Sequence, residues 1–144
     1  MNTVPFVGDQ VLVVQLDNGQ VEMPGGTLEP GEHYEEAIAR ELVEEAGAEP
    51  RSFSPIGYWR CFSTAPSPYR PHVPHPTFAR LVGISDVLIV GPPSNPEGGE
   101  RVVSVDALSV PEAAERFIAG GRPDIAELYR LASAIRRMHA TEAL

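Results

Sequence analysis

Residues 25–48 read GGTLEPGEHYEEAIARELVEEAGA, and seven glutamates stand between Gly26 and Ala48. The Gly-rich beginning predicts a loop running to Gly31. Beyond it, Ile38, Ala39, Leu42 and Ala46 recur at helical spacing. They predict a helix from about Glu32 or His33 to Ala46, with Gly47 stopping it in the left-handed conformation. At about 100° per residue, Glu44 and Glu45 fall on either side of Glu41, within roughly 60° of it. Leu42 and Ala46 lie beside them, so the three carboxylates sit on the shoulder of the buried stripe. A plain solvated face accounts for part of this. Arg40 at i±4 from Glu36 and Glu44 would gain about 0.2–0.5 kcal/mol per pair, and like charges would lose as much. Two features point further. The acids crowd toward the helix C-terminus, where the macrodipole disfavours negative charge. The helix also follows a loop in which Gly lets the backbone approach a ligand closely. Hard oxygen donors this close together suit Mg2+ or Mn2+. Such an ion turns their repulsion into shared coordination and can clamp a diphosphate.

On the N-terminal side of this segment, Val4 to Val7 and Val11 to Leu16 are β-branched runs split by Gly8-Asp9, and they predict two short strands. Asp17-Asn18-Gly19 signals a turn, and Gln20 to Met23 is a short extended piece ended by Pro24. On the C-terminal side, Ser52 to Phe62 reads as a strand. STAPSPYRPHVPHP, residues 63–76, carries five prolines and predicts a long, stiffened loop, because proline resists both ladders and helices. Thr77 to Val90 predicts one or two strands, 91–99 a loop, and Arg101 to Val105 a last strand. Two helices follow: Pro111 to Ala119 with Pro in its first turn, and Pro123 to about His139 with a stripe of Ile125, Leu128, Ala132 and Ile135. The order predicts a single α/β domain over residues 1–144, a mixed sheet with helices on its faces.

Composition narrows the function. With 144 residues and 42% apolar content, the chain can bury a core without disulfide or metal staples. No apolar run approaches the length of a membrane span, and the N-terminus lacks the pattern of a secretion signal. Cys61 stands alone, which excludes an internal disulfide and fits a reducing cytoplasm. A net charge of −9 argues against broad binding to nucleic acid, which needs Lys and Arg along the phosphate backbone. A small phosphorylated ligand stays compatible, since a bound cation reverses the local sign.

The spacing of the glutamates resembles a known signature. Gly26, five residues, Glu32, seven residues, and then Arg40-Glu41-Leu42-Val43-Glu44-Glu45-Ala46-Gly47 is similar to the box of the Nudix hydrolases, with Ala48 in place of its larger closing aliphatic residue. Pro24-Gly25-Gly26 resembles the approach to that box. The resemblance implies an α/β/α sandwich around a mixed sheet. It also implies cleavage of a diphosphate linking a nucleoside to another group, with Mg2+ or Mn2+. It makes Glu44, Glu45 and the Gly26 carbonyl metal ligands. Glu41 becomes a further ligand or the base toward water, and Arg40 and Glu32 become braces of the carboxylates. A later acid often joins such sites; here Glu97 and Glu100 lie in the right region. An inactive, sensor-type relative would show eroded box acids, whereas all are present.

Substrate selection would fall outside the box. Tyr58, Trp59, Arg60, Tyr69, Arg70 and Arg80 are the candidates, because aromatics stack on bases and Arg grips phosphate. On a strand, Tyr58 and Trp59 alternate, so one of them faces the core. His72 and His75 have a ligand-like spacing, but the prolines around His75 and the absence of a helix argue against a metal site. Cys61 reads as a core thiol. The partners implied are a small nucleotide-like substrate, no nucleic acid and no membrane, with a homodimer left open. Pro66, Pro68 and Tyr69 faintly resemble the marker of ADP-ribose-type enzymes; a nucleoside triphosphate fits equally.

Overall fold

Residues 1–143 are described by a computed structural model. The β-branched runs at the N-terminus form β1 (Asn2–Val7) and β2 (Gln10–Leu16), an antiparallel pair turning at Gly8-Asp9. Residues 21–22 make β3 (Val21–Glu22) against β2. After the first helix come β4 (Ala48–Phe62) and β5 (Thr77–Ile89), a long antiparallel hairpin. β5 runs parallel to β1, from Asn2 beside Val82 to Phe6 beside Asp86. β6 (Val102–Leu108) lies antiparallel to β2. The strand path is β3-β2-β1-β5-β4, with β6 on β2. The sheet is therefore mixed, as the order of elements predicts.

Strand alternation divides the core in two. Leu12, Val14 and Leu16 of β2 meet the first helix through Ala37, Ile38, Leu42 and Ala46. Val11 and Val13 point the other way, where Val4, Phe6, Val82 and Ile84 meet α2 (Val110–Ala119) and α3 (Pro123–Glu142) through Phe117, Ile125, Ala126 and Tyr129. This is a three-layer α/β/α sandwich. Buried Tyr129 keeps its hydroxyl satisfied by donating to the Leu12 carbonyl at 2.9 Å, as a phenol removed from water requires.

The structure corrects several expectations. The first helix is α1 (Tyr34–Glu41), and the segment to Ala46 is a π-helical turn, Leu42–Ala46, rather than α-helix. Periodicity alone does not register one residue of widening. Its buried stripe uses Ala37 in place of the half-buried Ala39. β4 starts four residues earlier than the apolar pattern suggests, at Ala48, and crosses Pro50 and Pro55 with a register shift after each. An edge strand tolerates proline in this way. Residues 77–89 are one strand, and the last strand lies over 102–108. In α3, Leu128 and Ile135 are only partly buried, while Tyr129 supplies the deepest contact. None of the helices among the described residues is long and apolar enough to cross a membrane.

Candidate active site

Arg40 is the hub of the site. Its guanidinium donates from Nε and Nη2 to the two oxygens of Glu32, at 2.9 and 3.0 Å. Nη1 donates to Glu41 Oε1 at 2.9 Å and to Glu44 Oε2 at 3.3 Å. Nη2 also reaches the Thr27 carbonyl at 3.3 Å. The fork toward Glu32 is the planar bidentate geometry that only arginine offers. Glu32 completes the link to the loop by accepting the Glu29 N–H at 2.8 Å. It is held below the ordinary carboxylate range chiefly by its bond from Arg40. The expected Arg40–Glu36 pair does not form. Glu36 instead accepts the His33 N–H at 3.0 Å at the start of α1, an N-terminal cap worth more than an exposed ion pair.

The loop from Pro24 is held close to this helix. Gly26 has no room for a side chain, because a Cβ there would strike the Glu41 carboxylate. Its N–H donates to the Met1 carbonyl at 2.9 Å, and its carbonyl accepts the Met1 α-amino group at 2.7 Å. Next to it, the Gly25 N–H donates to Glu45 Oε2 at 3.0 Å. Burial pushes the Glu45 carboxyl up to about 8; the Gly25 N–H opposes the shift, and Glu41, Glu100 and Glu44 add to it. Glu41 is buried and is also raised, by burial first and against the pull of Arg40. A carboxylate whose charge is this costly to bury is a functional-site candidate.

Glu44 and Glu45 belong to the wider π turn and Glu41 ends α1 just before it; Glu41 packs against Gly26 and Glu45 is bonded by Gly25. Single π turns recur inside helices at functional sites. Gly47 closes the turn at φ 60°, where a Cβ would collide with the backbone of Gly91. The loop after β5 caps the helix: Val90 and Gly91 donate to the Gly47 carbonyl, Ser94 to Val43 and Asn95 to Glu44. This places the loop that carries Glu97 and Glu100 against the acids. Glu100 is near enough to raise Glu45 and Glu22, while Glu97 is not among the groups acting on either.

The remaining candidates separate by face. Trp59 and Arg80 are cross-strand partners and share a face. Trp59 packs toward the α2/α3 side of the sheet. Arg80 lies close enough to act electrostatically on both the Met1 amino group and Glu22. Tyr58 pairs with Leu81, whose side chain joins the α1-side core, and Arg60 pairs with Ala79 on that same side. Tyr58 is 69% exposed. Tyr69 and Arg70 belong to the Pro-rich loop, which folds onto the loop before α1. Arg70 stands 3.6 Å from Glu29, and His72 Nε2 is bonded to the Leu28 carbonyl. Two residues escaped the sequence reading. Glu22 is half-buried, with its carboxyl raised by burial against the pull of Arg122; its place beside Pro24-Gly25-Gly26 was the available signal. Asn95 was hidden in a loop of turn-formers. A cavity of about 500 Å³ lies elsewhere, between β4, β5 and the end of α3, and is lined by residues such as Ser54, Asp86 and Arg137. It contains none of these acids.

Among the described residues, no three acidic, histidine or cysteine side chains converge into a ready-made cation cage. The donor set nevertheless fits Mg2+ or Mn2+. Glu41 Oε2, Glu44 Oε1 and Glu45 Oε1 take part in none of the hydrogen bonds among the described residues, which leaves each carboxylate one hard oxygen to offer.

A family model of the NUDIX domain matches residues 3–137. The chain belongs to the NUDIX family, and its class is that of a Nudix pyrophosphohydrolase. Among solved structures, a NUDIX hydrolase from Nitrosomonas europaea is similar, with TM-score 0.58 and 21% identity, over 84% of this chain and 88% of that one. An Ap4A hydrolase from C. elegans is similar with TM-score 0.56 and 17% identity, over 94% of this chain and 96% of that one. At such identities the likeness is one of fold. Among curated proteins, none matches the chain.

Proposed function

We propose that the protein hydrolyses a diphosphate linkage in a nucleoside diphosphate joined to another group, with Mg2+ or Mn2+ as cofactor. The observation that carries this reading is the Arg40 network, which holds Glu41 and Glu44 in place beside a half-buried Glu45. Glu44 and Glu45 would hold the ion, helped by the Gly26 carbonyl. Glu41 would be a further ligand or take the proton from the attacking water, for which its raised proton affinity suits it. When bound, the ion supplies Lewis acidity toward the diphosphate and acidifies water. Arg40 and Glu32 act as positioning residues: the guanidinium, forked onto Glu32, holds one oxygen each of Glu41 and Glu44 and leaves the other for the ion. Glu100, rather than Glu97, is the later acid, because it lies within electrostatic reach of Glu45. Trp59 and Arg80 form the substrate wall, one offering an aromatic face and the other a cation for phosphate.

The test combines a substrate panel with one variant. Nucleoside triphosphates, ADP-ribose, nucleotide sugars and dinucleoside polyphosphates are offered with Mg2+ or Mn2+; the C. elegans structure's name makes the last group worth including. At least one should be cleaved, and Glu45→Gln should lose about a thousandfold in kcat, the upper range for one charge-stabilising contact, while keeping its circular dichroism spectrum. No cleavage across the panel would favour a binding or sensor role. Full turnover in E45Q would remove the metal assignment.

A further inference from the structure

The loop between β5 and β6 is closed by one side chain. Asn95 Nδ2 donates to the Val102 carbonyl at 2.9 Å, and the Val102 N–H donates to Asn95 Oδ1 at 2.8 Å. The amide thus mimics a backbone partner at the first residue of β6. Asn95 also sits at φ 47°, a left-handed conformation that non-Gly residues seldom adopt and that asparagine tolerates best among them. Its own N–H donates to the Glu44 carbonyl at 3.2 Å, and that of Ser94 to the Val43 carbonyl at 3.4 Å. One residue therefore joins the carbonyl end of the acid-bearing helix to the strand after the loop. The segment between Asn95 and Val102, Glu100 included, is thereby closed into a loop, and Glu100 is near enough to Glu45 to act on it electrostatically.

We propose that Asn95 is a positioning residue of the hydrolase, acting through Glu100: its amide clamp on Val102 and its cap on Glu44 fix the loop that presents Glu100 to the metal-binding acids. The inference rests on the reading of Glu100 as the later acid. A capping asparagine could serve stability alone, but stability would require only the cap. The second, side-chain clamp spans the loop and spends both polar atoms of the amide on Val102.

The experiment uses Mn2+ alone, titrated by electron paramagnetic resonance into the wild type, Asn95→Gly, Glu100→Gln and the double variant. Glycine accepts φ 47° freely, so N95G removes the clamp without adding backbone strain. E100Q and N95G should each weaken Mn2+ binding by about tenfold, as is usual for groups that orient metal ligands. The double variant should be no weaker than E100Q. In N95G the Val102 amide should also exchange its hydrogen faster, while β1 and β2 amides stay protected. Additive losses in the double variant, or wild-type Mn2+ binding in N95G, would overturn the role of Asn95 while leaving Glu100 standing. Wild-type binding in E100Q would overturn both.

Discussion

The segment Gly26–Gly47 and the β4–β5 hairpin, which carries the proposed substrate wall, are built by different rules. In the first, the partners of Arg40 are local. Glu32, Arg40, Glu41 and Glu44 lie within one loop and one helix, where helical periodicity groups Arg40, Glu41 and Glu44 and the loop brings Glu32 to them. In the hairpin, the neighbours Tyr58, Trp59 and Arg60 project to alternate faces, and their facing depends on register shifts at Pro50 and Pro55. One residue of slip moves a whole strand's side chains to the other face. A short-range pattern therefore places the acids, while a long-range register decides which face each hairpin side chain takes.

The local side of that comparison breaks most sharply at Gly26→Ala. The added Cβ runs into a carboxylate that Arg40 already holds, so neither group can step aside cheaply. Overpacking of this kind costs about 1–3 kcal/mol. Mn2+ affinity should fall by roughly 100-fold, with a lower melting temperature by circular dichroism. Unchanged Mn2+ binding would mean that the Glu41 carboxylate moves freely and that the segment is not rigid.

Arg40→Lys keeps the charge and removes the fork. Lysine cannot bond both oxygens of Glu32 while reaching Glu41 and Glu44. The side chains of these pairs are only partly exposed, but the retained charge should keep the change in stability small. The positioning loss should appear as about a tenfold to thirtyfold drop in kcat, with KM little altered. A drop in melting temperature without a change in kcat would make Arg40 a structural brace only.

Glu45 gives the segment a pH signature. Its folded carboxyl titrates near 8 against an ordinary value of 4.5. Between those values the folded, metal-free chain holds a proton that the unfolded chain has released. Stability from this group is thus fully present below 4.5 and is lost as pH rises through 8. E45Q should melt about 5 °C above the wild type at pH 9 and level with it at pH 4.5. Wild-type Mn2+ affinity should climb with pH up to about 8, as the proton leaves. Parallel melting curves for the two proteins at all pH values would show that Glu45 is not buried as charge.

How much of this could be read from the sequence follows from the same division. The spacing from Gly26 to Gly47 carried the resemblance to the family, and that resemblance implied the sandwich; helical periodicity by itself gave only the shared face of Glu41, Glu44 and Glu45. The π turn was not legible, since Leu42 and Ala46 are apolar in either geometry. The faces of Trp59 and Arg80 were not legible either, because the bulges that set them depend on pairing with β5. Asn95 was invisible for a third reason: a loop asparagine is ordinary until its amide is seen to pair with Val102. The fold's helical stripes were readable to within a residue or two, apart from Tyr129, whose polar hydroxyl disguised the largest buried side chain of α3.

The smallest effect is the one that sharpens the comparison, because it tests register rather than chemistry. Arg80 and Arg60 both lie on the hairpin, one on each face of the sheet. If the Trp59–Arg80 face lines the substrate, Arg80→Ala should raise KM by about fivefold to tenfold, the loss of one partly screened contact to phosphate, with kcat near wild type. Arg60→Ala should change neither. The same pairing predicts that Trp59 fluorescence responds to a non-hydrolysed nucleotide diphosphate in the wild type and less in R80A. A larger effect from Arg60 would mean that the substrate lies across the Tyr58 face, beside the Pro-rich loop that Arg70 and His72 pin to residues 28–29.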